Sequence, residues 1–150
     1  TIDGGTGNDT LTGNGGNDQF VYGAAESTVS DDDLSNLDAI TDFEADNADE
    51  DIDVSGVPGL NNSAAVLTGA TVELNEADIL SKINNSGSFV GSSNNDEFEL
   101  FTGDGNGDLG SRKFLAGDLN DDGTIDATND IVIEVTGHSG TFSADDFVTA

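Results

Sequence analysis

Two in-register copies of one nine-residue pattern occupy residues 4–21 and constrain the fold more than any other feature of the chain. The first copy reads Gly-Gly-Thr-Gly-Asn-Asp-Thr-Leu-Thr and the second reads Gly-Asn-Gly-Gly-Asn-Asp-Gln-Phe-Val. Both fit G-G-x-G-x-D-x-U-x, in which a glycine-rich loop precedes a large apolar residue U that points into a stack of parallel strands. Leu11 and Phe20 occupy U and are predicted to point inward. Ile2 occupies that position for a preceding repeat, so we expect the chain to be part of a longer polypeptide.

The loop half of this pattern has the composition of a calcium site. Glycines at positions 1, 2 and 4 permit positive φ angles and a tight turn, so that carbonyl oxygens converge. The aspartate at position 6, which is Asp9 in the first copy and Asp18 in the second, adds an anionic oxygen. Since calcium prefers oxygen ligands of both kinds, the repeats predict binding of several calcium ions.

The charge of the chain restricts its partners. The sequence has 31 acidic residues against three Lys and Arg residues, a formal net charge of -28. Self-repulsion at that imbalance opposes a compact state unless cations neutralise it. We therefore expect cations as partners, and neither nucleic acid nor an anionic membrane surface, because both need clustered Lys and Arg. A merely solvated, halophilic surface is the alternative, but it would scatter its acids instead of placing them at fixed offsets beside glycines.

The remaining composition excludes several classes of protein. The absence of cysteine excludes disulfides, thiolate zinc sites and a cysteine nucleophile. No apolar run of about 18 residues and no basic leader is present, so the sequence predicts neither a membrane span nor a Sec-type signal. The single histidine has no nucleophile motif to accompany it. We expect a monomer without enzyme activity.

The apolar pattern predicts an all-β fold in two parts. Residues 1–56 are expected to form a short parallel β-roll of calcium-binding nonapeptide repeats, followed by an acidic calcium-binding bridge. Apolar residues alternate with aspartates in the bridge, which predicts that four of them face inward: Ile40, Phe43, Ile52 and Val54. Residues 57–150 are expected to form a mainly antiparallel β cap that closes the open end of the roll.

The cap is predicted to contain one short helix and several strands. Residues 76–83 carry acids in the first turn and place Ile79 and Ile83 one turn apart, with Asn75 as the expected N-cap. β-branched and aromatic runs predict strands at 89–90, 97–101, 113–115, 131–135 and 147–148.

A second kind of calcium loop is predicted at residues 118–126. Asp-Leu-Asn-Asp-Asp-Gly-Thr-Ile-Asp matches the D-x-N-x-D-G-x-I-D half of an EF-hand-type loop. The predicted ligands are Asp118, Asn120, Asp122, Asp126 and the backbone carbonyl of Thr124. Position 12, where a bidentate acid is usual, falls on Asn129, and Asp130 comes one residue later. Because β-branched residues follow, the loop should lead into a strand and not into an EF-hand's exiting helix.

The D-x-N-x-D spacing recurs at Asp104, Asn106 and Asp108, but without the turn glycine. We interpret this segment as a weaker calcium site, with a flexible turn as the alternative.

Taken together, these segments resemble the end of the repeats-in-toxin (RTX, haemolysin-type) family. In that family the last repeat leads into D-x-I-x-D-F and D-x-I-D-L-S elements, to which residues 38–43 and 51–55 are similar. Residues 117–126 and 143–148 also resemble the C-terminal region of serralysin-type secreted metallopeptidases. The zinc motif H-E-x-x-H of those enzymes does not occur in this chain.

The resemblance implies a set of calcium ligands. In RTX sites, position 6 supplies side-chain oxygen and positions 1–4 supply carbonyls, and the aspartates of D-x-I-x-D-F look like those that complete the last site. The ligands implied are Gly4, Gly5, Thr6, Gly7 and Asp9; Gly13, Asn14, Gly15, Gly16 and Asp18; and Asp38 and Asp42.

The resemblance also implies a location and partners. Family members leave Gram-negative bacteria through a type I secretion system that reads an uncleaved C-terminal signal, and they fold outside the cell on meeting calcium. Residues 145–150, acids followed by apolar residues, are similar to the end of that signal. The implied partners are the secretion machinery and upstream domains of the same polypeptide, and the implied location is extracellular.

Calcium energetics support a folding switch on separate grounds. A site at tenfold excess over its Kd adds about 1.4 kcal/mol, so about four or five sites add about 6 to 7 kcal/mol. That is comparable to the net stability of a domain. The leading hypothesis is therefore a non-catalytic calcium-dependent folding and secretion module. The alternative is a polysaccharide- or surface-binding RTX module of an adhesin or alginate-modifying enzyme, although one tyrosine and no tryptophan offer few stacking platforms to a glycan.

Overall fold

The computed structural model describes residues 1–57, 64–67, 70–85, 96–120 and 122–149. These residues are mainly β with one short α-helix, as predicted. The strands are β1 (Ile2–Asp3), β2 (Thr10–Leu11), β3 (Gln19–Val21), β4 (Asp38–Ile40), β5 (Asp51–Asp53), β6 (Ala64–Leu67), β7 (Thr71–Val72), β8 (Asp96–Gly103), β9 (Lys113–Asp118), β10 (Ile131–Glu134) and β11 (Phe147–Val148). Helix α1 spans Ile79–Asn84, and short 3-10 turns lie at Glu76–Asp78 and Ala144–Asp146. The strand predicted at 89–90 lies outside the described residues.

The first five strands alternate between two sheets. β1, β3 and β5 are neighbours in a four-stranded sheet, and β2 and β4 are neighbours in a seven-stranded sheet. All three of these pairs are parallel. The register pairs Phe20 with Ile52 in one sheet and Leu11 with Ile40 in the other. Apolar residues at position U of the repeat are therefore level with one another.

This alternation stacks the connecting loops in two pairs. We call residues 4–9 the first loop, 13–18 the second, 22–37 the third and 41–50 the fourth. The first and third loops both run from the four-stranded to the seven-stranded sheet, and Asn8 Nδ2 of the first donates to Leu37 O of the third at 2.5 Å. The second and fourth loops return in the opposite direction.

The C-terminal strands continue both sheets. β10 adds to β4 and β11 adds to β5, both in parallel. β9 is antiparallel to β8 and β10, whereas β6 and β7 are parallel to β8. Pairing in this part is thus mixed and not mainly antiparallel as predicted, because β6 reaches β8 through the segment that contains α1, a crossover long enough for parallel pairing. Strands from both sides of the predicted boundary at residue 56 share both sheets.

One apolar core joins the two sheets. Leu11 is 7% exposed, and the other predicted inward residues are 0–1% exposed: Phe20, Ile40, Phe43, Ile52 and Val54. From the C-terminal strands, Phe98 of β8 and Phe147 of β11 stack with ring centroids 3.9 Å apart. These two rings belong to different sheets, so they connect the sheets directly.

A second core cluster lies beneath α1. Ile79 and Ile83 are both fully buried, as their spacing predicted. Asn75, however, makes no side-chain cap bond. Its Oδ1 accepts a hydrogen bond from Asp108 N at 3.1 Å, and Asp108 Oδ1 accepts one from Glu76 N at 2.8 Å. The cap predicted for Asn75 is therefore supplied by a residue that is distant in the sequence.

Candidate metal centre

The backbone of the first and second loops follows the repeat position by position. At position 2, φ is 74° in Gly5 and 70° in Asn14. At position 4, φ is 123° in Gly7 and 131° in Gly16. Glycine adopts such angles without steric cost, and asparagine tolerates the left-handed region. The predicted positive φ angles are confirmed at positions 2 and 4.

Position 1 needs glycine for a different reason than the one predicted. Neither Gly4 nor Gly13 is among the residues with positive φ. A Cβ atom on Gly4 would lie 3.1 Å from Asp9 Oδ2, and one on Gly13 would lie 2.9 Å from Asp18 Oδ2. The position-6 carboxylate folds back over the start of its own loop, and a side chain at position 1 would collide with it.

Asp38, the first residue of β4, places its carboxylate against the first loop. Its Oδ1 accepts a hydrogen bond from Asp9 N at 2.9 Å. Its Oδ2 has no hydrogen-bond partner among the described residues, although Asp38 is 0% exposed. That Oδ2 lies 3.3 Å from the point where Gly4 would carry a Cβ, close to Asp9 Oδ2. The structure thus brings together Asp9 and Asp38, which we call the Asp9–Asp38 site.

The negative charges of Asp9 and Asp38 make this arrangement electrostatically unfavourable when no cation is bound. Burial raises the pKa of Asp38 to about 6, and the charges of Asp9 and Glu26 act in the same direction. A buried carboxylate without a compensating charge disfavours the ionised form. A proton or a cation at this site relieves that cost.

The second and fourth loops form a related arrangement around Asp18, which we call the Asp18–Asp42 site. Asp42 Oδ1 accepts a hydrogen bond from Gly13 N at 2.9 Å, and its Oδ2 accepts one from Asn14 N at 2.7 Å. Both oxygens of Asp42 are therefore engaged by the backbone of the second loop.

Glu50 is a member of this second arrangement that the sequence analysis missed. It is 5% exposed, and its Oε1 accepts a hydrogen bond from Glu44 N at 3.1 Å. Burial raises the pKa of Glu50, to which the charges of Glu44, Asp42 and Asp18 add. The signal was present in the spacing, because Glu50 precedes the inward Ile52 by the same two residues that separate Asp18 from Phe20.

Two further residues near the Asp9–Asp38 site were also missed. Tyr22 is 1% exposed, and its hydroxyl has no hydrogen-bond partner in the part of the chain that the structure describes. The register of β1 and β3, continued by one residue, puts Tyr22 level with Gly4, beside the Asp9 and Asp38 carboxylates. Burial raises the pKa of Tyr22, and the charges of Asp38, Asp9 and Glu26 raise it further. Glu26 Oε2 accepts a hydrogen bond from Gly23 N at 2.5 Å. Tyr22 lies nine residues after Gly13, where the repeat would place a glycine, and both Tyr22 and Glu26 belong to the longer third loop.

The loop at 118–126 is organised around its first aspartate. Asp118 accepts hydrogen bonds from Asp122 N at 3.3 Å and Gly123 N at 2.8 Å. Gly123 has φ of 83°, which confirms the sharp turn predicted for position 6. Asn120 Oδ1 accepts from Asp122 N at 3.0 Å, and Asp122 Oδ1 accepts from Thr124 N at 2.9 Å. Backbone donors thus hold the predicted ligands at positions 1, 3 and 5.

The C-terminal end of this loop contains a buried acid, Asp130, that is not in the predicted ligand set. The carboxylate of Asp126 accepts hydrogen bonds from Thr128 N at 2.6 Å and Asn129 N at 3.0 Å. Asp130 is 0% exposed and accepts hydrogen bonds from Leu119 N at 2.9 Å and Asp126 N at 2.7 Å, so it ties the two ends of the loop together. Burial raises the pKa of Asp130 to about 7. The loop leads into β10, as predicted.

The segment with Asp104, Asn106 and Asp108 is arranged as a turn. Asp104 accepts hydrogen bonds from Asn106 N at 2.9 Å and Asn106 Nδ2 at 3.0 Å. Asp108 Oδ1 instead accepts a hydrogen bond from Glu76 N, beside α1. Calcium binding by these three residues stays a prediction.

The donor set of the Asp9–Asp38 site fits a hard cation. Across the described ranges, no group of three or more His, Cys, Asp or Glu side chains is arranged to hold a metal ion. A site here consequently rests on two carboxylates and on neutral oxygens, a combination that calcium accepts. The unpartnered Asp38 Oδ2 and the close approach of the Asp9 and Asp38 carboxylates to Gly4 are the observations that fit such an ion.

Comparison with known families agrees with this assignment. A family model, the RTX calcium-binding nonapeptide repeat in four copies, matches residues 1–29. The match supports the RTX family and calcium binding by the repeat segment. No curated protein and no solved structure matches the chain. In the part of the chain that the structure describes, no helix has the length and apolar character needed to cross a membrane.

Proposed function

We propose that this chain is a non-catalytic calcium-binding module of a larger exported protein and that it folds when it meets calcium outside the cell. The RTX match supports calcium binding and export, since such repeats typically occur in secreted proteins of Gram-negative bacteria. The observation that carries the proposal is Asp38 Oδ2, which is buried beside Asp9 without a partner. Calcium there would turn an unfavourable buried anion into a ligand.

The strand order supports a short β-roll as the architecture of residues 1–53. Successive strands alternate between two sheets, the pairs that they form within each sheet are parallel, and the connecting loops stack on either side. In this register Asp9 is level with Asp38, and Asp18 is level with Glu50. Acids on successive turns would repel one another in the absence of a cation between them.

The expected calcium affinity makes folding of this module depend on whether it is inside or outside the cell. Extracellular calcium modules have Kd values of about 0.1 to 1 mM, so such sites are largely empty at cytosolic calcium and filled outside. A net charge of -28 keeps the calcium-free chain expanded. Binding and folding are then one equilibrium, because the stacked loops exist only in the folded chain.

We further propose that the C-terminal segment carries the type I secretion signal, with the secretion machinery and upstream domains as partners. A serralysin-type parent is one candidate, on the resemblance of residues 143–148. Phe147 and Val148 form β11, which pairs with β5 in the folded chain. A signal at this place is available to the machinery only before the fold closes, which fits export of an unfolded chain.

Far-ultraviolet circular dichroism of the chain in chelator, titrated with calcium, tests the folding switch. We expect a cooperative gain of β structure, with a midpoint in the range of extracellular calcium. Magnesium is the control, because it prefers octahedral sites that retain water and should not replace calcium between the loops. A chain that is already folded in chelator and unchanged by calcium would overturn the proposal.

Export is tested separately, in a Gram-negative host with a type I secretion system. A passenger protein fused upstream of residues 1–150 should reach the medium, and one fused to residues 1–142 should stay in the cell. Equal export of both fusions would contradict the placement of the signal.

A further inference from the structure

The Asp9–Asp38 site and the Asp18–Asp42 site differ in how many of their carboxylate oxygens accept hydrogen bonds from the protein. Both oxygens of Asp42 accept backbone hydrogen bonds, and the residue is partly exposed. Asp38 is fully buried, and only its Oδ1 is hydrogen-bonded. A buried acceptor without a partner is costly, whereas an exposed and bonded one is not. Calcium binding should therefore be more favourable at the Asp9–Asp38 site than at the Asp18–Asp42 site.

The hydroxyl of Tyr22 is the second unpartnered buried atom at the same place. Tyr22 follows β3 directly, and its backbone N donates to Asp53 O at 2.8 Å, so the ring is fixed by the sheet. The register of β1 and β3, continued by one residue, puts Tyr22 level with Gly4, which the Asp9 and Asp38 carboxylates approach closely. Buried tyrosine hydroxyls usually find a hydrogen-bond partner, and this one has none.

The unpartnered Tyr22 hydroxyl and the unpartnered Asp38 Oδ2 lead to one arrangement. We propose that the Tyr22 hydroxyl is a calcium ligand at the Asp9–Asp38 site, where it and Asp38 Oδ2 form the inner wall, and that this site fills before the Asp18–Asp42 site. The proposal rests on the proposed function, since it names the ligands and the filling order of the same calcium module. A neutral hydroxyl adds an oxygen ligand without adding another negative charge to an already acidic cluster.

Glu26 acts as a positioning residue in this arrangement. Its Oε2 holds Gly23 N at 2.5 Å, and a Cβ atom on Gly23 would lie 3.1 Å from Glu26 Oε1. Gly23 follows Tyr22 in the chain, so Glu26 fixes the backbone immediately after the hydroxyl-bearing residue. Its carboxylate also adds negative charge that attracts the cation.

The substitution Tyr22→Phe tests the ligand role through the sign of its effect. If the hydroxyl binds calcium, removing it should raise the calcium midpoint of folding about tenfold, the loss typical for an oxygen that contacts a charged partner. If the hydroxyl is only a buried group without a partner, removing it should stabilise the fold and lower the midpoint. A midpoint that is unchanged or lower overturns the ligand role. An unresponsive wild-type chain would instead overturn the proposed function, and with it this inference.

Terbium luminescence tests the filling order. Tyr22 is the only tyrosine, and the chain has no tryptophan, so Tb³⁺ excited through tyrosine absorption reports on ions near this residue. We expect strong emission at the first equivalents of Tb³⁺, its displacement by calcium, and its loss in Asp38→Asn. Asp42→Asn, the matched change at the other site, should retain it. Equal loss in both variants, or retention in Asp38→Asn, would overturn the order.

Discussion

At the scale of single residues, close approach explains why the repeat begins with glycine. A methyl group on Gly4 would meet Asp9 Cβ at 3.0 Å and would lie beside the Asp9 and Asp38 carboxylates. We predict that Gly4→Ala raises the calcium midpoint of folding at least several-fold, because the carboxylates must move apart. A calcium titration followed by circular dichroism measures the shift.

Gly15→Ala is the matched control for that substitution. Gly15 lies in the second loop at position 3, has no positive φ, and has no atom within 4 Å of its Cβ position. Alanine there should leave the midpoint unchanged or lower it slightly, since it reduces the freedom of the unfolded chain by about 0.4 to 1 kcal/mol. Equal losses in both variants would contradict the role given to Gly4.

Asp38 also gives a prediction about pH. Its pKa in the fold, about 6, lies above the ordinary value of 3.8, so the folded chain binds the extra proton between these values. Stability of the calcium-free fold from this residue is thus present at low pH and lost as pH rises through about 6, and it amounts to at most about 3 kcal/mol. We expect the chelated chain to gain β structure on acidification from about pH 7 to pH 5.

The variant Asp38→Asn isolates that contribution from the other acids. An amide does not titrate, so the variant should gain less structure on acidification than the wild type. Circular dichroism in chelator across the same pH range makes the comparison. Identical acid responses of the two chains would refute a buried, ionisable Asp38.

Sequence reasoning at this scale found the acids that follow the repeat and missed those whose place depends on the stacking of the loops. Asp9, Asp18 and the turn glycines are specified by local spacing. Glu50 lies at the place of position 6, but the long fourth loop interrupts the nine-residue spacing, so the repeat pattern does not reveal it. The burial of Tyr22 against Asp38 comes from the pairing of β3 and β5 and from the third loop, and no local pattern encodes it.

At the scale of elements, the 3-10 turn that leads into α1 depends on a residue outside it. Asp108 Oδ1 accepts the hydrogen bond from Glu76 N, and Asn75 Oδ1 accepts one from Asp108 N. We predict that Asp108→Ala lowers the free energy of unfolding in calcium by about 1 kcal/mol, the usual cost of a lost cap. Denaturant unfolding of the calcium-loaded chain measures it.

Asp104→Ala is the control, because the Asp104 side chain accepts hydrogen bonds from Asn106 in the same turn. It should change stability less than Asp108→Ala does. If Asp104→Ala instead removes one calcium ion from the binding stoichiometry, the turn is a metal site, and the capping role of Asp108 is secondary.

The existence of most elements could be predicted from the sequence, but their pairing could not. Apolar spacing placed β3, β5, α1 and β10 correctly, because burial on one face is a local property. The mixed pairing arises because β10 and β11 return to strands formed much earlier in the chain. The wrong cap at Asn75 has the same origin, since its competitor, Asp108, approaches through the tertiary fold.

At the scale of the whole molecule, the stacked rings of Phe98 and Phe147 hold the two sheets together. Phe147 is 7% exposed, and its ring lies 3.9 Å from that of Phe98. We predict that Phe147→Ala lowers the free energy of unfolding in calcium by about 3 kcal/mol through lost burial and the cavity that remains. The calcium midpoint should rise accordingly, although no calcium ligand is touched.

Val148→Ala on the same strand is the control for that change. Val148 is only partly buried, so the loss should be smaller, about 1 kcal/mol or less. Thermal unfolding in saturating calcium compares the two variants. A larger loss in Val148→Ala would mean that the edge pairing of β11, and not the ring contact, holds the sheets.

The pairing of β5 with β11 has a consequence for the timing of synthesis. Ile52 lies level with Phe147, and Asp38 of β4 lies level with Ile133 of β10. More than half of this sequence lies between each of these strands and its C-terminal neighbour, so a ribosome must synthesise that length before either pair can form. A nascent chain therefore cannot complete the native sheets. The topology delays folding inside the cell, even where calcium is present.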